Sequence, residues 1–379
     1  MELANRQAAA LVPRRRWLDV IFALALAAGA GYAYRQFSGY MDFYEVAILF
    51  LAVPTFAALG WHWSALRNLC AGSALVALWA ISLYAHDLGR ADSVFLLKYL
   101  VSSQSAILWM CALFFMATAS YWAGIAARSQ FAYASGQALT WAAVTMGLVG
   151  LLTRWYESYL LGADIGHIPI SNLYEVFVLF SLITALFYLY YEERYAERSL
   201  GGFVLLVISA AIGFLLWYTF DREAYEIQPL VPALQSWWMK IHVPANFIGY
   251  GSFALAAMVG AAYLVSDRKF FASRLPSHEV LEDLMYRSIA VGFAFFTVAT
   301  ILGALWAAEA WGSYWQWDPK ETWALIVWLN YAAWLHMRMI KGLRGPMLAW
   351  WAVVGLLVTT FAFLGVNMFL SGLHSYGQL

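Results

Sequence analysis

Eleven apolar stretches decide most of what this chain can become. They run at about 17–35, 43–62, 69–85, 104–124, 137–153, 174–191, 202–220, 244–266, 288–308, 322–340 and 347–369. Each is long enough, as a helix, to cross the roughly 30 Å of hydrocarbon in a bilayer. Inside lipid every backbone polar group must be bonded within its own segment, which leaves the helix as the spanning unit for such runs. With 63% hydrophobic and 12% charged residues over 379 positions, little polar surface remains for a water-soluble domain. The expected fold is all-α, a polytopic integral membrane helical bundle of about 11 transmembrane helices.

Basic residues orient it. Arg14, Arg15 and Arg16 precede the first span and place the N-terminus in the cytoplasm; eleven spans then put the C-terminus on the outer, periplasmic side. Under this topology fifteen of the 22 Lys and Arg residues fall on the cytoplasmic side, the asymmetry the positive-inside rule expects. The first apolar segment shows no small-residue cleavage site, so a signal peptide is not expected. The net charge is zero, so nothing points to nucleic acid, and the immediate partner is membrane lipid. Cys70 and Cys111 both lie in apolar runs and form no C-x-x-C, which argues against a dithiol oxidoreductase and a covalently haem-bearing cytochrome. The first three spans carry no chemical motif and read as accessory packing helices.

Nine of the 20 tryptophans fall between Trp306 and Trp351, and Trp311, Trp315 and Trp317 crowd one polar-aromatic loop spanning 306–321. An aromatic belt at the headgroups explains part of this enrichment. The loop ends in a helix start, with Asp318 as N-cap, Pro319 as first helical residue and Glu321 as capping-box partner. Asp318 therefore has a structural role, and a ligand role stays open beside it. A shelf of large flat rings suits a large flat ligand.

Among the histidines, His62 and His86 end spans, and His167 and His278 sit in loops where solvated side chains are expected. Asn172 and Glu175 form a second capping pair. The loop 221–243 can form a short amphipathic surface helix between Val231 and His242, with Trp238 and His242 one turn apart. His336 lies fourteen residues into its span, about 21 Å deep at 1.5 Å per residue, where an ionisable group is a functional candidate. The last span delivers His374 to the outer side. Even numbers of spans separate His242, the tryptophan loop and His374, so all three face outward. A histidine on each flank of an aromatic platform is the arrangement two axial ligands of a haem iron require. Indole N–H groups or Lys320 could meet the propionates. A zinc site would want three or four ligands at closer spacings.

Trp311-Gly312-x-x-Trp315-x-Trp317-Asp318-Pro319 resembles the tryptophan-rich signature of haem-handling proteins in cytochrome c maturation. Ser171-Asn-Leu-Tyr-Glu175, Lys240-Ile-His242-Val and Gly-Leu-His374-Ser-Tyr-Gly resemble the CcsA/ResC branch of the System II pathway, a family whose members are sometimes labelled CcsB. The resemblance covers roughly residues 100–379, and implies an accessory region at 1–100 and a haem-handling core at 101–379. It implies that Trp311, Gly312, Trp315, Trp317, Asp318 and Pro319 bind haem, that His242 and His374 are its outer iron ligands, and that His336 is a transmembrane ligand. It further implies haem b as transported substrate, a ResB-like membrane partner, apocytochrome c, a thioredoxin-like reductant, and a bacterial inner membrane. No residue is assigned acid–base catalysis. The function implied is haem export and presentation within a cytochrome c synthase. The competing classes are a cytochrome b-type electron-transfer protein, which would want two histidine pairs on facing helices, and a small-molecule transporter.

Overall fold

A computed structural model describes residues 16–162, 164–340 and 343–374. Arg6, Arg14, Arg15, Lys341 and the Ser-Tyr-Gly after His374 lie outside the described residues. Regular structure among the described residues is entirely helical. Eleven long helices appear in order: α1 (Arg16–Phe37), α2 (Phe43–His62), α3 (Ser64–Tyr84), α4 (Ser103–Ala127), α5 (Gln130–Leu161), α6 (Leu173–Tyr195), α7 (Gly201–Arg222), α8 (Met239–Val265), α9 (His278–Trp311), α10 (Pro319–Met339) and α11 (Pro346–Thr360). A π-helical turn, Phe361–Gly365, carries α11 on to Phe369.

Ten of these are both long and apolar enough to cross a membrane. The exception is α10, which forms where a span is expected but carries Lys320, Glu321, Asn330, His336 and Arg338. Two helices outrun their apolar stretches. α5 has 32 residues and α9 has 34, about 48 and 51 Å of helix. Apolarity marks only the lipid-facing part, whereas Glu, Arg and Leu continue a helix readily beyond it. Residues 278–287 are therefore the start of α9 and not loop. At its other end α9 continues to Trp311, so the tryptophan loop proper is Gly312–Asp318, shorter than the 306–321 read from sequence.

The segment before α8 also differs from expectation. A single 3₁₀ turn, Pro232–Leu234, replaces the surface helix, and His242 sits in the first turn of α8 itself. Pro244 is the sixth residue of α8, inside the helix, where it lacks the N–H that a helical residue donates four residues back.

The chain divides into two compact units, one up to Leu75 and one from Val76 to Leu379. In the first, Asp19 of α1 pairs with Arg67 and both are buried, the arrangement that makes ionisable groups tolerable in an apolar setting. In the second, α8 is the central helix, burying a face of small residues that includes Ala254, Ala256, Ala257 and Gly260, which lets neighbouring backbones approach closely. Successive helices run antiparallel: Phe177 of α6 stacks on Phe214 of α7, Phe253 of α8 packs on Phe296 of α9, and Trp334 of α10 bonds the Leu348 carbonyl of α11. The ends of α5, α7, α9 and α11 and the starts of α6, α8 and α10 thus gather at one end of the bundle.

Candidate ligand-binding cavity

At that end lies a cavity of about 680 Å³, lined by both His242 and His374 together with Trp306, Trp315, Lys320 and Glu321. Its volume is that of a site for a sizeable organic ligand, within the usual range of about 300–1,000 Å³.

Each histidine is held by one nitrogen. His242 Nδ1 lies 2.8 Å from the Ala299 carbonyl of α9. A carbonyl only accepts, so Nδ1 carries the hydrogen and Nε2 keeps the lone pair. Space for the ring exists because residue 303 is glycine: a Cβ there would stand 2.9 Å from His242 Cε1. His374 Nδ1 lies 2.9 Å from Asp318 Oδ1, and the same reasoning leaves its Nε2 with the lone pair. Burial pushes the His374 imidazolium below the ordinary histidine value, while the Asp318 carboxylate pulls the other way; the net shift is downward. The ring is therefore neutral near pH 7 and able to ligate a metal.

Asp318 does three things with one carboxylate. It caps α10 through Lys320 N–H at 2.9 Å, holds the His374 ring, and accepts the Leu373 N–H at 2.7 Å. The chain passes so close that a Cβ on Gly372 would lie 2.1 Å from Asp318 Oδ2. The capping box forms as the sequence indicates, with Pro319 at the first helical position. Glu321 does more than cap: its Oε2 accepts Gln316 N–H at 2.7 Å and Asp318 N–H at 3.2 Å. Those two bonds bracket Trp317, whose backbone is left-handed at φ +57°. That conformation costs a non-glycine residue on the order of 1–2 kcal/mol and persists only where the surroundings enforce it.

The tryptophans do not form one coplanar shelf. Trp311, the last residue of α9, packs edge-on against the His374 ring at 4.6 Å and against Trp306 at 4.7 Å. Gly312 ends α9 in the left-handed conformation, φ +77°, and turns the chain into the loop. Trp315 lines the cavity, and Trp317 stands perpendicular to it, 6.0 Å away and 68% exposed. Lys320 Nζ donates to the Ala362 and Phe363 carbonyls, at 3.2 and 2.8 Å, groups that the π-helical turn turns toward it. His336 lies elsewhere, exposed in the last turn of α10 and seventeen residues after Pro319, about 26 Å along the axis.

Of two histidines read from sequence as solvated, His167 is not, whereas His278 keeps a side chain 43% exposed. His167 is buried, 2.6 Å from the Ile165 carbonyl and 2.9 Å from Ser171 Oγ. His278 begins α9, reaches Ser266 Oγ at 2.8 Å and packs on the Tyr263 ring. Both had acceptors or hydroxyls within one fold of the chain, which loop composition does not reveal.

Sequence reasoning missed Trp306, Asn246, Tyr250 and Gly303. Trp306 lines the cavity, ties its Nε1 to the Ala233 carbonyl at 3.0 Å, and walls the His374 ring at 5.6 Å. Asn246 and Tyr250 follow His242 at four-residue steps, and that spacing on α8 was a usable signal that all three share a face. Among the described residues no cluster of three or more His, Cys, Asp or Glu could hold a bare metal ion. Two imidazoles on one cavity suit instead an iron whose other four ligands come with it.

Residues 170–374 match the protein family described as cytochrome c assembly protein. The chain is 39% identical over 233 residues to the cytochrome c biogenesis protein CcsA of Chlamydomonas reinhardtii, a stretch covering 60% of this chain and 64% of that protein. It is 37% identical over 255 residues to the CcsA of Parasynechococcus marenigrum, covering 60% of this chain and 81% of that one. It is 33% identical over 302 residues to the CcsA of Chlorella vulgaris, covering 70% and 93%. In fold it is similar to a solved structure titled cytochrome c heme lyase CcmF, with a TM-score of 0.54 and 18% identity over 69% of this chain and 48% of that one.

Proposed function

The chain belongs to the cytochrome c assembly protein family, and from that premise we propose that it is a haem-handling subunit of a membrane cytochrome c synthase. The observation that carries the reading is the pair His242 and His374, both on one cavity and both with Nδ1 bound to a fixed acceptor. Such outer-shell bonds set the tautomer and raise the basicity of a metal-ligating imidazole. Haem is the substrate. His242 and His374 would ligate its iron through Nε2, Trp315 would pack against its ring, and Trp306 and Trp311 hold the His374 ring in place. Haem supplies the reactive vinyl groups, to which the two cysteine thiols of an apocytochrome C-x-x-C-H add, each S–H bond giving a C–S and a C–H bond. The chain's own residues position and exclude water; none acts as acid or base.

The cavity opens on the outer, periplasmic face of a bacterial inner membrane, a ResB-like partner completes the synthase, and a thioredoxin-like reductant keeps the substrate cysteines as thiols. His336 belongs to a second, deeper site. Its exposure on the rim of α10 suits a haem shared with a helix of that partner. Co-expression with the ResB-like protein and purification tests the reading: the complex should carry non-covalent haem with a low-spin, bis-imidazole absorption spectrum. A colourless complex that still matures cytochrome c when haem is plentiful refutes it.

A further inference from the structure

The Ser171–Glu175 motif takes no part in the ligation above, and the structure gives it a task. Arg154, near the end of α5, is 2% exposed, and Glu175, in the first turn of α6, is 1% exposed. Arg154 Nε meets Glu175 Oε1 at 2.8 Å, with the guanidinium over the Tyr174 ring at 5.1 Å. Glu175 Oε2 accepts both the N–H and the Oγ–H of Ser171, each at 2.8 Å, so the carboxylate is fully engaged. Arg154 is not. Its other two nitrogens leave the helix pair and donate to consecutive carbonyls, Nη1 to Tyr225 at 2.5 Å and Nη2 to Glu226 at 3.3 Å.

Those carbonyls belong to the segment between α7 and the 3₁₀ turn, which has no regular secondary structure from Ala224 to Val231. The same segment forms one wall of the cavity, through Ala224, Glu226, Gln228 and Leu230. The remaining N–H groups of a buried guanidinium need acceptors, and here the wall segment supplies them. The rigid planar fork of a guanidinium reaches a carboxylate and two carbonyls in fixed directions, a span the compact ammonium of lysine does not reproduce.

We propose that Arg154 is a positioning residue for the cavity: it fastens the segment 224–231 as a wall that retains bound haem. This rests on the haem reading above. The test uses the full chain in membranes. Ala224→Cys is labelled with a membrane-impermeant thiol reagent, without haem, beside Arg154→Lys, which keeps the charge opposite Glu175. Loss of the two carbonyl bonds should speed labelling about tenfold or more, equivalent to about 1.4 kcal/mol. Purified protein loaded with haemin should then release it about tenfold faster, with the spectrum of the bound form unchanged. Labelling within twofold of the parent, or faster labelling with unchanged haemin release, overturns the proposal. If Arg154→Lys does not accumulate, the double replacement Arg154→Met/Glu175→Met removes the same bonds without leaving a buried charge. Should the parent chain take up no haemin, the haem reading fails, and the labelling arm alone decides whether Arg154 holds the wall.

Discussion

Replacing Asp318 by Asn separates the roles of that carboxylate. Asn is as good an N-cap as Asp, so α10 should still start at Pro319. What changes is the return strand. Asp318 now accepts from Lys320 N–H and His374 Nδ1–H on Oδ1 and from Leu373 N–H on Oδ2. An amide offers one oxygen; placed to cap α10 it also stays with His374 Nδ1–H, so its NH₂ faces the Leu373 N–H and leaves that donor unsatisfied at a cost of about 1–3 kcal/mol. The expected loss in ferric haemin affinity at pH 7 is therefore about 10- to 100-fold, the range seen when a ligand's outer-shell partner is removed. The pH dependence should move the opposite way from the affinity. Asp318 raises the His374 value against the lowering by burial; without the carboxylate the value falls further. His374 then stays neutral to lower pH, and the acid limb of haem binding shifts downward. Titrating purified chain with haemin between pH 5 and 8, following the low-spin Soret band, measures both. Affinity within twofold of the parent, or an acid limb that stays put or rises, would show that the Asp318 carboxylate does not support His374 as a ligand.

Gly303→Ala places a methyl 2.9 Å from His242 Cε1, so the ring must leave the Ala299 carbonyl; low-spin haem should be lost while helix content by circular dichroism is kept. His242→Gly or His374→Gly should stop maturation of a reporter cytochrome c, with added imidazole partly restoring it, whereas His278→Gly should mature the reporter normally. His336→Gly should lower haem content per protein at both sites, while His242→Gly keeps haem inside without producing cytochrome; equal, near-parent haem in both would leave His336 outside the haem route. Glu175→Gln unpairs buried Arg154 and should cost about 3–5 kcal/mol, read as reduced accumulation and a lower unfolding temperature; an unchanged Tm would mean the pair is not buried as described.

Local rules carried much of this protein. Hydrophobic run length sets helix number because lipid forbids unbonded backbone, and the eleven helices stand where those runs are. Capping is equally local: the Asp318-Pro319-x-Glu321 box forms in full, while Asn172 accepts the Glu175 N–H and the Glu175 carboxylate turns to Ser171 and Arg154 instead. Helix lengths were less legible, since a helix does not stop where its apolar stretch stops; α9 carries Trp306 and Trp311 on its last turns for that reason. So was the region before α8, where proline and the early helix start displaced a surface helix that amphipathic spacing alone would allow.

The site was legible as residue types and not as an arrangement. Parity of the spans requires His242, the tryptophan loop and His374 to emerge at the same end, which topology alone dictates. That Asp318 would meet a histidine 56 residues later, that Ala299 would fix the tautomer of His242, and that Arg154 would reach past Glu175 to two carbonyls 71 and 72 residues away depend on helix packing. Those contacts join groups from helices whose mutual rotation is set by small residues on α8 and by close aromatic packing, which no local pattern encodes. Sequence by itself determined the bundle, its caps and the chemical kinds of side chain available. Only the tertiary structure decided which nitrogen of each histidine is left with a lone pair, because that depends on where another helix places an acceptor.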